Sequence, residues 1–209
     1  MFSEMTYFNG VRETVEDMLK HYDGWGDPST YPHMAAGWAV AGDTPFTWTK
    51  QVASSFGGTR NGMVVHWPKG ITQPGRVSQQ HCLTMDWTAT ILDIAGAHPP
   101  AGHELDGVSM RPVLQAAGLA FERPMYWRMK HRQQRAFRLG DWKYLKVDEH
   151  EYLFNVARDA RERANQARRE PARLSEMRER YEIWAAQVPP VPDDAFVGVV
   201  NTLADMPAR

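Results

Sequence analysis

Apolar and polar residues alternate with a period of two in four consecutive segments: Pro124-Met125-Tyr126-Trp127-Arg128-Met129, Gln134-Arg135-Ala136-Phe137-Arg138-Leu139, Trp142-Lys143-Tyr144-Leu145-Lys146-Val147 and Glu151-Tyr152-Leu153-Phe154-Asn155. A period of two is that of a strand, and Gly140-Asp141 between the second and third segments is a hairpin turn, so four antiparallel strands are expected. Pro171 then opens a helix that places Leu174, Met177, Tyr181 and Trp184 on one face, ready to cover one side of that sheet. From Pro189 to Arg209 four prolines mark a wrapping extension or a loose end.

The pattern before Gly118 is different. Val11, Val15, Met18, Leu19 and Tyr22 share a helical face with Asn9 as its cap, and Gly24 to Pro28 end it. Ser29 to Gly42 is rich in small residues and aromatics without a clear period, as in a loop over a cleft. His33 in that loop has two readings, a ligand contact or a ring hydrogen-bonded to backbone beside Pro32. Thr44 caps an expected helix from Pro45, in which Phe46, Trp48 and Val52 surround Lys50 with non-polar neighbours. Gly57-Gly58 stops that helix, and Met63-Val64-Val65-His66-Trp67 reads as a short buried strand ended by Pro68. Asp86 and Gly96 bracket a further helix with Trp87, Ile91, Leu92 and Ala95 toward the core. Val113 and Leu114 belong to a short helix that Gly118 ends. Strand followed by helix is the order of an α/β layer, and the change at Gly118 is the expected boundary.

Composition narrows the classes. At 209 residues the chain can bury roughly 70% of its unfolded surface. A hydrophobic fraction of 43%, a charged fraction of 23% and a net charge of −1 give no field for nucleic acid or an anionic membrane, so neither is an expected partner. The arginines from Arg158 to Arg180 are offset by Asp159, Glu162, Glu170, Glu176 and Glu179. Cys82 is the single cysteine, so no internal disulfide or cysteine-rich metal site forms. No apolar run is long enough to span a bilayer and the first residues do not read as a signal peptide, which leaves cytoplasm and periplasm equally open.

Several motifs fail on one residue. His103-Glu104-Leu105-Asp106-Gly107 has Gly107 where a zincin helix needs its second histidine. Gly107-Val108-Ser109-Met110-Arg111 has Arg111 where a nucleophile elbow needs glycine. Gly57 to Gly62 lack the Lys-Ser/Thr pair of a P-loop, and Asp193-Asp194 between prolines read as solvated charge. No metal ligand set is expected.

From Trp48 to Gly70 and from Asp86 to Gly96 the residues resemble the C-terminal part of an arylsulfatase of the alkaline-phosphatase superfamily. The resemblance is carried by Lys50, the turn Gly57-Gly58-Thr59-Arg60 and the run Val64-Val65-His66-Trp67-Pro68. It extends through Gly37-Trp38-Ala39, Leu105 to Ser109, Arg138 to Lys143 and Tyr152 to Asn155. It implies an α/β fold with three parts: residues 1–118 as the C-terminal part of the catalytic domain, 119–188 as a small antiparallel sheet with one covering helix, and 189–209 as a tail. It also implies that Lys50 contacts the sulfate of a sulfuric ester. Family members use calcium and a formylglycine made within Cys/Ser-x-Pro-x-Arg. Here Cys82 is followed by Leu83-Thr84-Met85-Asp86, and Asn9-Gly10 is preceded by Phe8 where the family has Asp-Asn-Gly. The interval from Lys50 to Arg60 is one residue longer than the common family pattern, and Gly62 stands where proline is frequent.

The expectation is therefore a sulfatase C-terminal segment that begins just downstream of the metal motif, needs no cofactor by itself and does not turn over a sulfate ester unless joined to the missing part. The alternatives are a non-catalytic anion-binding or scaffold module, or part of a phosphate or phosphonate ester hydrolase. An exposed apolar edge, with self-association through it, is expected of such a segment.

Overall fold

The computed structural model describes residues 14–30, 34, 36–50 and 52–193. The chain divides into two compact units, Met1–Pro45 and Phe46–Arg209. In the first unit, α1 (Val15–Leu19) starts at Thr14, not at Asn9, which lies outside the described residues. The Thr14 hydroxyl accepts from the Asp17 N–H at 3.1 Å while the Asp17 carboxylate accepts from the Thr14 N–H at 3.2 Å, so two otherwise unpaired helical donors are satisfied. A 3₁₀ turn at Tyr22–Gly24 follows. The expected loop before Asp43 is in part a helix, α2 (Ala36–Asp43). Alanines favour helix whether or not an apolar stripe is present, and here the stripe is absent: Trp38 and Val40 are both exposed.

The second unit is built on the antiparallel sheet β1 (Met125–Met129), β2 (Gln134–Leu139), β3 (Trp142–Val147) and β4 (His150–Asn155), in sequential order. All four expected strands are present. Register pairs Phe137 with Tyr144 and Tyr144 with Leu153, so these three stand on one face. There they meet Met177 and Tyr181 of α6 (Pro171–Ala185), and Tyr126 lies stacked between Phe137 and Trp184 at 4.6 and 4.8 Å. The opposite face carries Ala136, Leu145, Val147, Tyr152 and Phe154, and Phe56 packs against it. Arg138 and Lys143 are cross-strand partners on this second face.

The remaining elements are α3 (Phe56–Thr59), α4 (Thr84–Ala95) and α5 (Arg111–Gln115). Gly96 ends α4 in the left-handed region at φ 65°, as its position in the sequence predicts. Asp86 is not the cap but the third residue of α4, and the buried face is Asp86, Ala89 and Thr90, while Ile91 and Ala95 are exposed. Gly118, at φ 79°, follows α5 within the second unit.

Two expected elements do not form. No helix begins at Pro45: residues 44–50 are turns and bends, and Trp48 takes φ 68°, a left-handed value that a helix cannot continue through. Met63 to Trp67 is not a buried strand either; it pairs with no strand among the described residues, and Val64 is 93% exposed. An apolar run becomes a strand only where a neighbour accepts its backbone hydrogen bonds.

Candidate functional site

Of the two candidate site residues, His33 lies outside the described residues. Lys50 is in a turn, exposed, and makes no hydrogen bond or ion pair within the described residues. It is not the lysine among apolar neighbours that the pattern suggests. That lysine is Lys143, whose side chain is fully enclosed.

Lys143 points from β3 toward the Gly57-Gly58 turn. Its ammonium donates to Oε1 of Glu162, and the other oxygen of Glu162 accepts the Phe56 N–H at 2.8 Å. Phe56 opens α3, so one buried carboxylate satisfies both a sheet ammonium and a backbone donor of the turn. Burial pulls the Lys143 ammonium below its ordinary range, and the adjacent Glu162 charge works in the opposite direction. The ammonium also sits 4.4 Å from the Phe56 ring centre and 5.8 Å from that of Trp127. A methyl group on Gly58 would collide with the Val52 carbonyl, so only glycine fits that close approach.

Around Phe56 stand two further cations. Arg138, 7% exposed, has its guanidinium carbon 5.3 Å from the ring centre, and Arg60 has its own at 5.4 Å and 4.9 Å from Phe46. Arg138 is held below its usual value, to about 10, by burial and then by repulsion from Arg60. His81 lies in the field of both arginines and is pushed down to about 4, first by burial. It is therefore neutral near pH 7.

A second constellation organises α4. Asp86 is fully buried; its carboxylate accepts the Leu83 N–H at 2.7 Å and the Val108 N–H at 2.8 Å, and is bridged by Arg123 at 2.6 Å. One turn on, Thr90 accepts the Met110 N–H at 2.8 Å, and Asp93 accepts from Ser109 at 2.6 Å and Arg111 at 3.0 Å. Three residues on one side of α4 thus hold Val108 to Arg111, and a side chain at Gly107 would collide with the Met85 carbonyl. The Ser109 hydroxyl donates to Asp93 and accepts the Arg111 N–H, and no histidine hydrogen-bonds it among the described residues. Between this constellation and residues 63–78 is an open cavity of about 530 Å³, with Met63, Trp67, Trp87, Met110 and Val113 among its lining and Cys82 at its wall. Burial raises the Cys82 thiol above its ordinary value, which disfavours the reactive thiolate.

Among the described residues no three His, Cys, Asp or Glu side chains are placed to hold a metal ion. The calcium site and the formylglycine of the resembled family do not fit onto these residues. The chemistry that is present is fixed positive charge: an exposed ammonium at Lys50 and a partly enclosed pair of guanidiniums at Arg60 and Arg138. Lys143, Glu162 and the Asp86–Arg123 pair escaped the sequence reading. Lys143 and Asp86 carried a signal, charge between apolar neighbours in a strand and a helix; Glu162, between two arginines, and Arg123 carried none.

Over part of its length the chain is similar to sulfatases. It is 35% identical over 83 residues to the N-acetylgalactosamine-6-sulfatases of Sus scrofa and Homo sapiens, a stretch that covers 40% of this chain and 15% of each relative. The matched stretch is thus a small part of those proteins. Among solved structures, a 2-O GAG sulfatase overlaps with TM-score 0.39 and 24% identity over 49% of this chain and 24% of its own. A chain described under glycosaminoglycan metabolism by Bacteroides thetaiotaomicron overlaps with TM-score 0.43 and 18% identity, over 48% of this chain and 24% of its own. No family model matches the chain.

Proposed function

We propose that this chain is the C-terminal segment of an arylsulfatase-type sulfuric ester hydrolase with the alkaline-phosphatase-like α/β fold, and that Lys50 is its sulfate contact. The identity with the N-acetylgalactosamine-6-sulfatases carries the reading. Residues 1–118 would form the end of the catalytic domain, 119–188 the sheet-and-helix part and 189–209 a tail. A hexosamine 6-sulfate is the substrate class to try first. Lys50 is exposed and has no partner among the described residues, so its ammonium is available to a sulfate oxygen and to the charge that grows on the leaving oxygen. Calcium and formylglycine would supply Lewis acidity and the nucleophile; their residues are not among those described.

The purified chain with calcium should not hydrolyse 4-nitrophenyl sulfate, and turnover would overturn the division of labour proposed. Co-expressed with the upstream portion of an N-acetylgalactosamine-6-sulfatase, it should support sulfate release that falls on the order of a hundredfold in Lys50→Ala, the size of effect seen when one charge-stabilising donor is removed. Equal rates would remove Lys50 from the site. Thermal stability of Lys50→Ala should stay within about 0.5 kcal/mol of the parent, as for other exposed unpartnered residues. A second reading is a non-catalytic anion-binding module: the half-buried Cys82, with its thiol raised by burial and followed by Leu83-Thr84-Met85-Asp86, does not suit a nucleophile.

A further inference from the structure

Arg138 is an anomaly on the second sheet face. Only its Nε–H has an acceptor, the Gly140 carbonyl at 3.1 Å; its two terminal nitrogens have none among the described residues, although the residue is 7% exposed. Those nitrogens still reach solvent, since they are not among the buried atoms left without a partner. Arg60, on the same Phe56 wall, has neither a side-chain hydrogen bond nor a carboxylate within 4 Å among the described residues. Glu162 attracts Arg138 but forms no ion pair with either arginine among the described residues; its oxygens accept from Lys143 and the Phe56 N–H. Asp141 adds attraction at longer range but bridges neither guanidinium. Two guanidiniums that repel each other, one of them largely buried, present open donors with no ion-paired carboxylate among the described residues, an arrangement that an anion would complete.

We propose that Arg60 and Arg138 form a binding site, walled by Phe56, for a small tetrahedral oxyanion, a sulfate or phosphate group. The planar guanidinium fork matches such oxygens two at a time, and the aromatic wall limits competing water. Arg138 is pre-positioned by its bond to the Gly140 carbonyl, while exposed Arg60 closes from the end of α3. Neutral His81 in the same field presents a further polar ring without adding charge at pH 7. The proposal rests on the two arginines and does not depend on the role proposed for Lys50.

The test is a titration of the whole chain with inorganic sulfate, phosphate and acetate, following the Arg60 and Arg138 Nε–H resonances. Sulfate and phosphate should produce saturable, one-to-one shifts of both resonances, with acetate weaker. Arg60→Gln, at an exposed position where folding is not at stake, should weaken sulfate about tenfold, equivalent to one charge-assisted hydrogen bond. Arg138→Lys keeps the charge but loses the fork and should weaken it as well. Lys69→Ala, at an exposed lysine that belongs to neither proposed contact, should leave binding unchanged. Shifts that never saturate, or an Arg60→Gln chain that binds as tightly as the parent, would overturn the proposal. Loss of binding in Lys69→Ala would mark the shifts as general charge screening and equally overturn it.

Discussion

Removing the carboxylate of Glu162 should be among the most damaging single changes in the second unit. Glu162→Ala leaves the Lys143 ammonium enclosed without a counter-charge and the Phe56 N–H without its acceptor. Breaking one partner out of a buried ion pair costs about 3–5 kcal/mol, and the unsatisfied backbone donor lies within that cost or slightly beyond it. Against a total stability of about 5–15 kcal/mol for a typical domain, the variant should be near the edge of folding at 25 °C. The single change Lys143→Met should cost a comparable amount, because it strands Glu162 in the same enclosure. The paired change Lys143→Met with Glu162→Gln removes both charges, fills the stem volume and keeps an acceptor for Phe56. It should recover to within about 1 kcal/mol of the parent, as observed when buried pairs are replaced by matched neutral groups. Urea unfolding at pH 7 of the parent, Lys143→Met, Glu162→Gln and the double variant closes a cycle that gives the coupling energy directly, expected at about 2 kcal/mol or more. The reasoning fails if either single variant loses less than about 1 kcal/mol, or if the two losses simply add in the double variant.

Other perturbations reach different parts of the same unit. His81 has an ordinary value of 6.5 and a folded value of about 4, so the folded chain binds fewer protons between them. Its share of stability is fully present above 6.5 and is lost as pH falls through about 4; His81→Asn should flatten that part of the stability–pH profile, with Arg138, Arg60 and Asp141 as the neighbouring charges to account for. An unchanged slope would refute the assignment. Gly58→Ala drives a methyl into the Val52 carbonyl and should cost about 1–3 kcal/mol in a thermal melt. Asp86→Asn keeps the shape but takes the counter-charge from Arg123; a loss of about 3–5 kcal/mol is expected, and faster hydrogen exchange at the Val108 amide should accompany it.

The sheet was legible because its evidence is local. Each of the four strands carries its own alternation, and β2, β3 and β4 are joined by turns so short that neighbours in sequence must be neighbours in space. The covering helix was legible for a similar reason, with Leu174, Met177, Tyr181 and Trp184 spaced for one face. Residues 44–71 have no such local arbiter. Phe46, Trp48 and Val52 fit a helical count, yet a left-handed Trp48 interrupts it. Met63 to Trp67 fit a buried strand by composition, and no described strand lies beside them. The Lys143–Glu162 pair was hidden by sequence separation: nineteen positions apart, each reads as a surface charge, and only register brings Lys143 under the turn that Glu162 holds. Asp86 was recognised as important to its helix but given the wrong task, since its main partners, Val108 and Arg123, are far along the chain.

The turn at Gly140-Asp141 sets which way every residue of β3 points. With Leu139 opposite Trp142, the even-numbered Trp142 and Tyr144 turn toward α6 and the odd-numbered Lys143 and Leu145 toward Phe56. A single added residue that shifted β3 by one would exchange these sets, presenting an indole to Glu162 and an ammonium to Tyr181. Homologous chains should therefore vary freely in the composition of this hairpin but change its length only in steps of two, or with a bulge that restores the parity.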